Sequence, residues 1–232
     1  MYFLAVDTAT NSGGVALARN AEVIGTIQVK RPLEYSERLL SQVDFLLAQF
    51  DLAMSDIGCF VVASGPGSFT GLRIGMATVK GFCQALDRPA VGVSTLEALA
   101  FRFRHVSGIV APMVDARRQQ VFGAVYEVAE GGICRPVEAE RVAPPAGWLG
   151  GLPERRCLFV GDGAQMYAST VASLRPEDRL IRSDNSILPE LCLLGYHRFI
   201  QGEAVAAGAL TANYVRPSDA ELTSPDSTRP AL

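Results

Sequence analysis

Two short stretches hold the residue types that could do chemistry. SGPGSFTG (64–71) crowds three glycines and a proline into eight residues just ahead of a helical pattern. Asp7-Thr8-Ala9-Thr10 sets a carboxylate and two hydroxyls at the end of an apolar run. The first stretch fails each familiar register. A P-loop needs a lysine directly after its last glycine, where Gly71 is followed by Leu72-Arg73. Gly65, Gly67 and Gly71 are spaced G-x-G-x-x-x-G, one residue too long for a dinucleotide turn. Ser68 lies between Pro66 and Thr70, which occupy the two glycine positions of a nucleophile elbow.

What the stretch supports is a helix start, capped by Ser68 or Thr70 and running from about Gly71 to Leu86. Leu72, Met76, Val79, Cys83 and Leu86 form its apolar seam, and Gly71, Gly75, Thr78, Gly81 and Ala85 a face of small residues. Glycine in a helix costs about 1 kcal/mol relative to alanine, so several together imply a close approach that offsets the cost. Internal packing, a helix of another chain and an anion at the helix N-terminus are three ways to provide it.

The remaining candidates are weaker. Asp115-Ala116-Arg117-Arg118 ends a second apolar run as Asp7 ends the first, but bulky cations follow instead of glycine. VGDGA (160–164) sets the Asp162 carboxylate between Gly161 and Gly163 at the end of another apolar run. His105 and His197 are the only histidines, too few and too distant for an H-x-x-x-H metal pair or a Ser–His triad, so no metal is expected. Five cysteines without a C-x-x-C pair read as reduced and mostly buried.

The elements that must position these residues follow from the patterning. YFLAVD, GGVALA and EVIGTIQV (2–7, 13–18, 22–29) read as strands, SERLLSQVDFLLAQF (36–50) as a helix, and CFVVAS (59–64) as a strand covered on both faces. Ser36 is the cap expected for that helix; Leu39, Val43, Leu46 and Phe50 form its stripe, widened by Leu40 and Leu47. AVGVS (90–94) reads as a strand and Thr95–Arg104 as a helix. Three strands then return (108–117, 120–129, 134–142), followed by a short helix (144–149), a strand (157–163) and a helix (187–202).

The order βββαβα occurs twice, which implies an internal duplication: two α/β halves, 1–104 and 105–216, around a central cleft, with a polar tail (217–232) expected to be disordered. The chain has 232 residues, 49% of them hydrophobic, and a net charge of −3, which argues against gripping nucleic acid unaided. Arg102/Arg104 and Arg117/Arg118 read as solvated surface pairs. No signal peptide or membrane span is expected, and the reading is of a cytoplasmic protein.

SGPGSFTGLRIGMATVKGF resembles the signature of the TsaB (YeaZ) family of the tRNA threonylcarbamoyladenosine machinery, which has the ASKHA (actin/sugar kinase/Hsp70-like) fold. LAVDTAT, SERLL, GVSTLEALA, VDARRQQVF and NYVR are similar to that family in order and spacing; 130–185 and the tail offer little to align. The resemblance implies a non-catalytic subunit that docks to and activates its paralogue TsaD, the threonylcarbamoyl transferase, and that can also form a homodimer by the same surface. It also implies the TsaE ATPase as a further partner, and tRNA as an indirect one. The implied interface is the helix from Gly71, with Leu72, Arg73, Gly75 and Thr78, beside the helix bearing Leu39 and Val43. Gly75→Trp is then expected to block pairing and leave the monomer folded. Tyr35 stands where the family's His is expected.

Asp7, Thr8, Thr10 and Asp115 become a vestigial phosphate turn, and no cofactor is expected beyond a nucleotide at the partner interface. The alternative is an active phosphotransferase or peptidase-like enzyme using the cleft at Asp7.

Overall fold

Strand β1 (Tyr2–Asp7) shows why the chain folds in layers: every residue after Tyr2 is buried. Phe3 and Ala5 enter one apolar cluster and Leu4 and Val6 another, so both faces of the strand are covered. The computed structural model describes residues 1–30, 35–130, 132 and 134–216. The Ser36 cap, the Tyr35 contact and the tail 217–232 lie outside the described residues and side chains.

After β1 come β2 (Gly14–Arg19) and β3 (Glu22–Gln28), then α1 (Tyr35–Ala48) and a 3-10 turn (Met54–Asp56). Next are β4 (Ile57–Gly65), α2 (Phe69–Leu86), β5 (Ala90–Ser94) and α3 (Thr95–Phe101). The second series is β6 (Gly108–Asp115), β7 (Val121–Val128), β8 (Cys134–Ala143), α4 (Pro145–Gly150) and β9 (Cys157–Val160). It closes with α5 (Asp162–Met166), α6 (Ala168–Leu174), β10 (Arg179–Leu180) and α7 (Leu188–Ile200).

The two five-stranded sheets have matching orders, β3-β2-β1-β4-β5 and β10-β9-β6-β7-β8. In each, three antiparallel strands are extended by parallel ones, so the duplicated α/β reading holds. The periodicity left α5, α6 and β10 unseen, because helices of five and seven residues and a two-residue strand are too short to establish a period.

The helices divide unevenly between the sheets. α1 and α2 cover one face of the first sheet, and α7, from the far end of the chain, covers the other. α3 in turn packs on β6, β7 and β8 of the second sheet. One buried cluster therefore joins Phe3, Val61, Leu96, Leu99, Phe122 and Leu191 across both halves. With the C-terminal ends of β1 and β6 meeting at the cleft, this shared layer fixes the two candidate turns relative to each other.

Candidate functional site

Asp7 ends β1 fully buried, and its carboxylate is consumed by its own turn. Oδ1 accepts from the N–H groups of Ala9 (2.8 Å) and Thr10 (3.2 Å), and Oδ2 from the Thr10 hydroxyl (2.5 Å). Thr10 Oγ1 also accepts from the Ser12 N–H at 3.2 Å. Burial pushes the Asp7 carboxyl above its ordinary range, and the Thr10 hydroxyl and the two backbone donors act against that shift. Thr8, 2% exposed, donates its hydroxyl to the carbonyl of Gly71 at 2.6 Å.

The glycine-rich loop closes directly over this turn. Ser68 caps α2 by accepting from the Gly71 N–H (3.2 Å), and its own N–H donates to the Ala9 carbonyl (2.9 Å). A Cβ on Gly71 would lie 1.8 Å from the Thr8 carbonyl oxygen, and one on Gly75 would lie 2.5 Å from the Thr8 hydroxyl. The close approach that the glycines permit is therefore to the chain's own Asp7 turn.

The second turn is satisfied in a similar way. The Asp115 N–H donates to Asp162 Oδ1 (3.0 Å), and Asp115 Oδ1 accepts from the Arg117 N–H (2.9 Å). Asn11 reaches Asp162 Oδ2 at 3.4 Å, linking the two turns across the cleft. Arg117, Arg118 and Gln119 are all left-handed (φ 61, 51 and 58), a conformation costing about 1–2 kcal/mol per residue. Outside these turns lies a cleft of about 640 Å³, lined among others by Asn11, Ser12, Lys30, Arg117, Asp162 and Arg182. Both Asp7 oxygens accept from donors of their own turn, and the Asp115 N–H is taken by the Asp162 carboxylate.

The predicted interface residues divide between core and surface. Leu39 (2% exposed), Val43 (1%) and Leu72 (2%) are core residues, and Gly71 and Gly75 are buried against Thr8. In the single chain these five residues are covered. Arg73 is exposed and Thr78 half-buried.

The seam Leu72, Met76, Val79 and Cys83 does face the sheet. The outward face of α2 lies opposite, at Thr70, Arg73, Ala77, Gly81 and Gln84, all exposed and spaced at three and four residues. Nothing lies within 4 Å of a Cβ built on Gly81. On neighbouring α1, Leu40 (53% exposed) and Phe45 (61%) stand out from the surface. Leu40, expected to widen the buried stripe, instead points outward; Leu47 is buried. The sequence reading placed Leu40 on the buried stripe and passed over Ala77 and Phe45, because alanine and an isolated apolar residue carry no signal of their own. The seam's complement on α2 would have shown Ala77.

The other candidates are structural. His105 is exposed after α3, and the exposed His197 sets its ring edge-on to Phe101 at 6.2 Å. All five cysteines are free. Burial raises the Cys59 thiol to about 12 and the Cys83 thiol to about 11, so neither is a nucleophile at neutral pH. Among the described residues no cluster of three or more His, Cys, Asp or Glu could hold a metal ion, and no helix is long and apolar enough to cross a membrane.

Known proteins are similar to this chain in sequence and in fold. The family model for TsaD, tRNA N6-adenosine threonylcarbamoyltransferase, matches residues 32–189. The tRNA threonylcarbamoyladenosine biosynthesis protein TsaB of Bacillus subtilis (strain 168) is 34% identical over 226 residues, covering 95% of this chain and 96% of its own. The chain belongs to the TsaB (YeaZ) family. YeaZ from Pseudomonas aeruginosa superposes with a TM-score of 0.76 at 27% identity, over 92% of this chain and 99% of that one. Component A of the Acidaminococcus fermentans (R)-2-hydroxyglutaryl-CoA dehydratase, with a TM-score of 0.50 and 10% identity over 85% and 98% of the two chains, shares the fold alone. The ASKHA-type fold expected from the motifs is thus the fold of the chain. TsaB-family similarity also reaches further than the motifs did, since an alignment over 95% of the chain runs into the 130–185 region.

Proposed function

We propose that this chain serves tRNA threonylcarbamoyladenosine formation as a non-catalytic subunit that docks to and activates a TsaD-type paralogue. The observation carrying the reading is the contrast between its two candidate surfaces. The carboxylate turn is closed upon itself, whereas the outward face of α2 is exposed along its length, with Ala77 and Gly81 leaving its middle open, and neighbouring α1 exposes Leu40 and Phe45. Leu40 and Phe45, 53% and 61% exposed, would contribute about 1–2 kcal/mol each on being covered. Ala77 and Gly81 leave room for a helix to come close.

The occupant is argued from kinship. The TsaD family model begins at residue 32 and takes in α1 and α2, so a TsaD-type chain carries an equivalent helix pair that can pack against this one. The same geometry admits a second copy of this chain, which makes the homodimer a competitor for one face. TsaE enters as a component of the assembled complex, tRNA is handled by the paralogue, and the reading places all of this in the cytoplasm.

The cleft favours one other reading, an ASKHA phosphotransferase or peptidase-like enzyme, because Lys30, Arg117 and Arg182 line it. Reconstitution separates the two. Threonylcarbamoyladenosine should form from TsaD, the adenylate and tRNA only when this chain is added, and this chain without TsaD should yield none. Equal product without the chain would overturn the docking reading and return attention to the cleft.

A further inference from the structure

The C-terminal end of the described chain is pinned across both halves. Leu210, 2% exposed, is buried in the cluster under α1 and α2. The Asn213 N–H donates to the Ser64 carbonyl at 2.7 Å, just ahead of the glycine-rich loop. The Asn213 amide donates to Glu140 Oε2 on β8, while Ser94 and Tyr126 donate to Oε1. Arg216 Nη1 donates to Gln120 Oε1 at 3.0 Å.

Between these anchors Tyr214 stays 46% exposed, its ring centroid 5.2 Å from that of Phe69 in the first turn of α2. Also on Phe69, the Arg73 guanidinium carbon lies 4.0 Å from the ring centre. Tyr214, Phe69 and Arg73 therefore form a ladder at the N-terminal end of the open α2 face, the two rings tilted 44° to each other and the guanidinium over the Phe69 face. α2 carries Arg73 and Lys80 and no carboxylate, and Arg73 meets no acid among the described residues.

We infer that the docking surface continues from α2 onto residues 213–216, and that the Tyr214–Phe69–Arg73 ladder receives a carboxylate of the TsaD-type partner. The inference rests on the docking reading above. A guanidinium stacked on an aromatic ring keeps its N–H edge free for a bidentate carboxylate, and the ring fixes where that edge points. Asn213 is a positioning residue: it holds Tyr214 in place through Ser64 and Glu140 and does not itself meet the partner.

The test measures association of the full chain with full-length TsaD by calorimetry, alongside each variant's melting temperature. Arg73→Ala and Tyr214→Ala should each weaken association about tenfold, without a change in melting temperature. The double variant should lose well under the product of the two, since both break one ladder. Tyr214→Phe keeps the ring and should bind as wild type, and added salt should narrow the Arg73→Ala difference. Wild-type association with undiminished binding by Arg73→Ala and Tyr214→Ala would overturn the ladder and leave the docking reading intact. No association by the wild-type chain would remove both.

Discussion

Gly71 and Gly81 lie three helical turns apart on α2, yet they have opposite meanings. A Cβ at Gly71 would sit 1.8 Å from a backbone oxygen, whereas one at Gly81 meets nothing within 4 Å. Gly71→Ala should therefore destabilise the chain by about 2–3 kcal/mol in a denaturant titration, because a backbone carbonyl cannot swing aside as a side chain can. Gly81→Ala should stabilise it by up to about 1 kcal/mol through helix propensity. Gly75→Trp, expected from the sequence to leave the monomer folded, would drive its ring into Thr8 and should destabilise the whole chain instead. Asp7 invites a pH test at the same scale. Its folded value is raised above the ordinary 3.8, so its contribution is fully present below 3.8 and is lost as pH rises through the folded value. The stability cost of Asp7→Asn should thus be largest in acid and shrink toward neutrality. A cost that grows with pH would mean that the turn's donors outweigh desolvation.

At the scale of the element, α2 decides whether this protein has a partner surface. Its seam and its outward face were both implicit in FTGLRIGMATVKGFCQAL, since a period of 3.6 fixes which residues lie opposite Leu72, Met76, Val79 and Cys83. The period could not tell which part of the small-residue stripe was already covered by the β1 turn. That depended on Thr8, 63 residues earlier in the chain. Ala77→Trp and Gly81→Trp are the interface probes. Each should abolish association with TsaD by light scattering, with the circular dichroism melt unchanged. Wild-type association by both variants would place the docking face elsewhere. Leu40→Asp should act in the same direction, as 53% of that side chain's residue surface is open to solvent in the free chain.

Over the whole molecule, the exchange of helices between the halves has the largest consequence. α7 belongs to the second half by sequence and covers the first sheet, and α3 does the reverse. We therefore expect the halves 1–104 and 105–216 not to fold alone, since a chain ending at 104 would bare the β1 and β4 face that Leu191 covers. Leu191→Ala should cost about 2–5 kcal/mol. It should shift the unfolding of both halves together, read by Trp148 fluorescence in the second and by far-UV circular dichroism overall. Separate transitions by the two probes would show the halves to be independent.

The strand runs, the order of the elements, the seam of α2 and the family were legible in the sequence, because each is written in residues close together in the chain. Alternation and helical periods are local, and so are the motifs SGPGSFTG and VDARRQQVF. The Asp7 turn was legible as a phosphate turn without its glycine, though not as one whose carboxylate is wholly consumed by Ala9 and Thr10. Tertiary structure alone decided which glycines are covered, which sheet each helix serves, and that residues 210–216 cross from one half to the other. Those are contacts between residues tens to more than a hundred positions apart, and a local pattern says which face of an element is apolar without saying what it will meet.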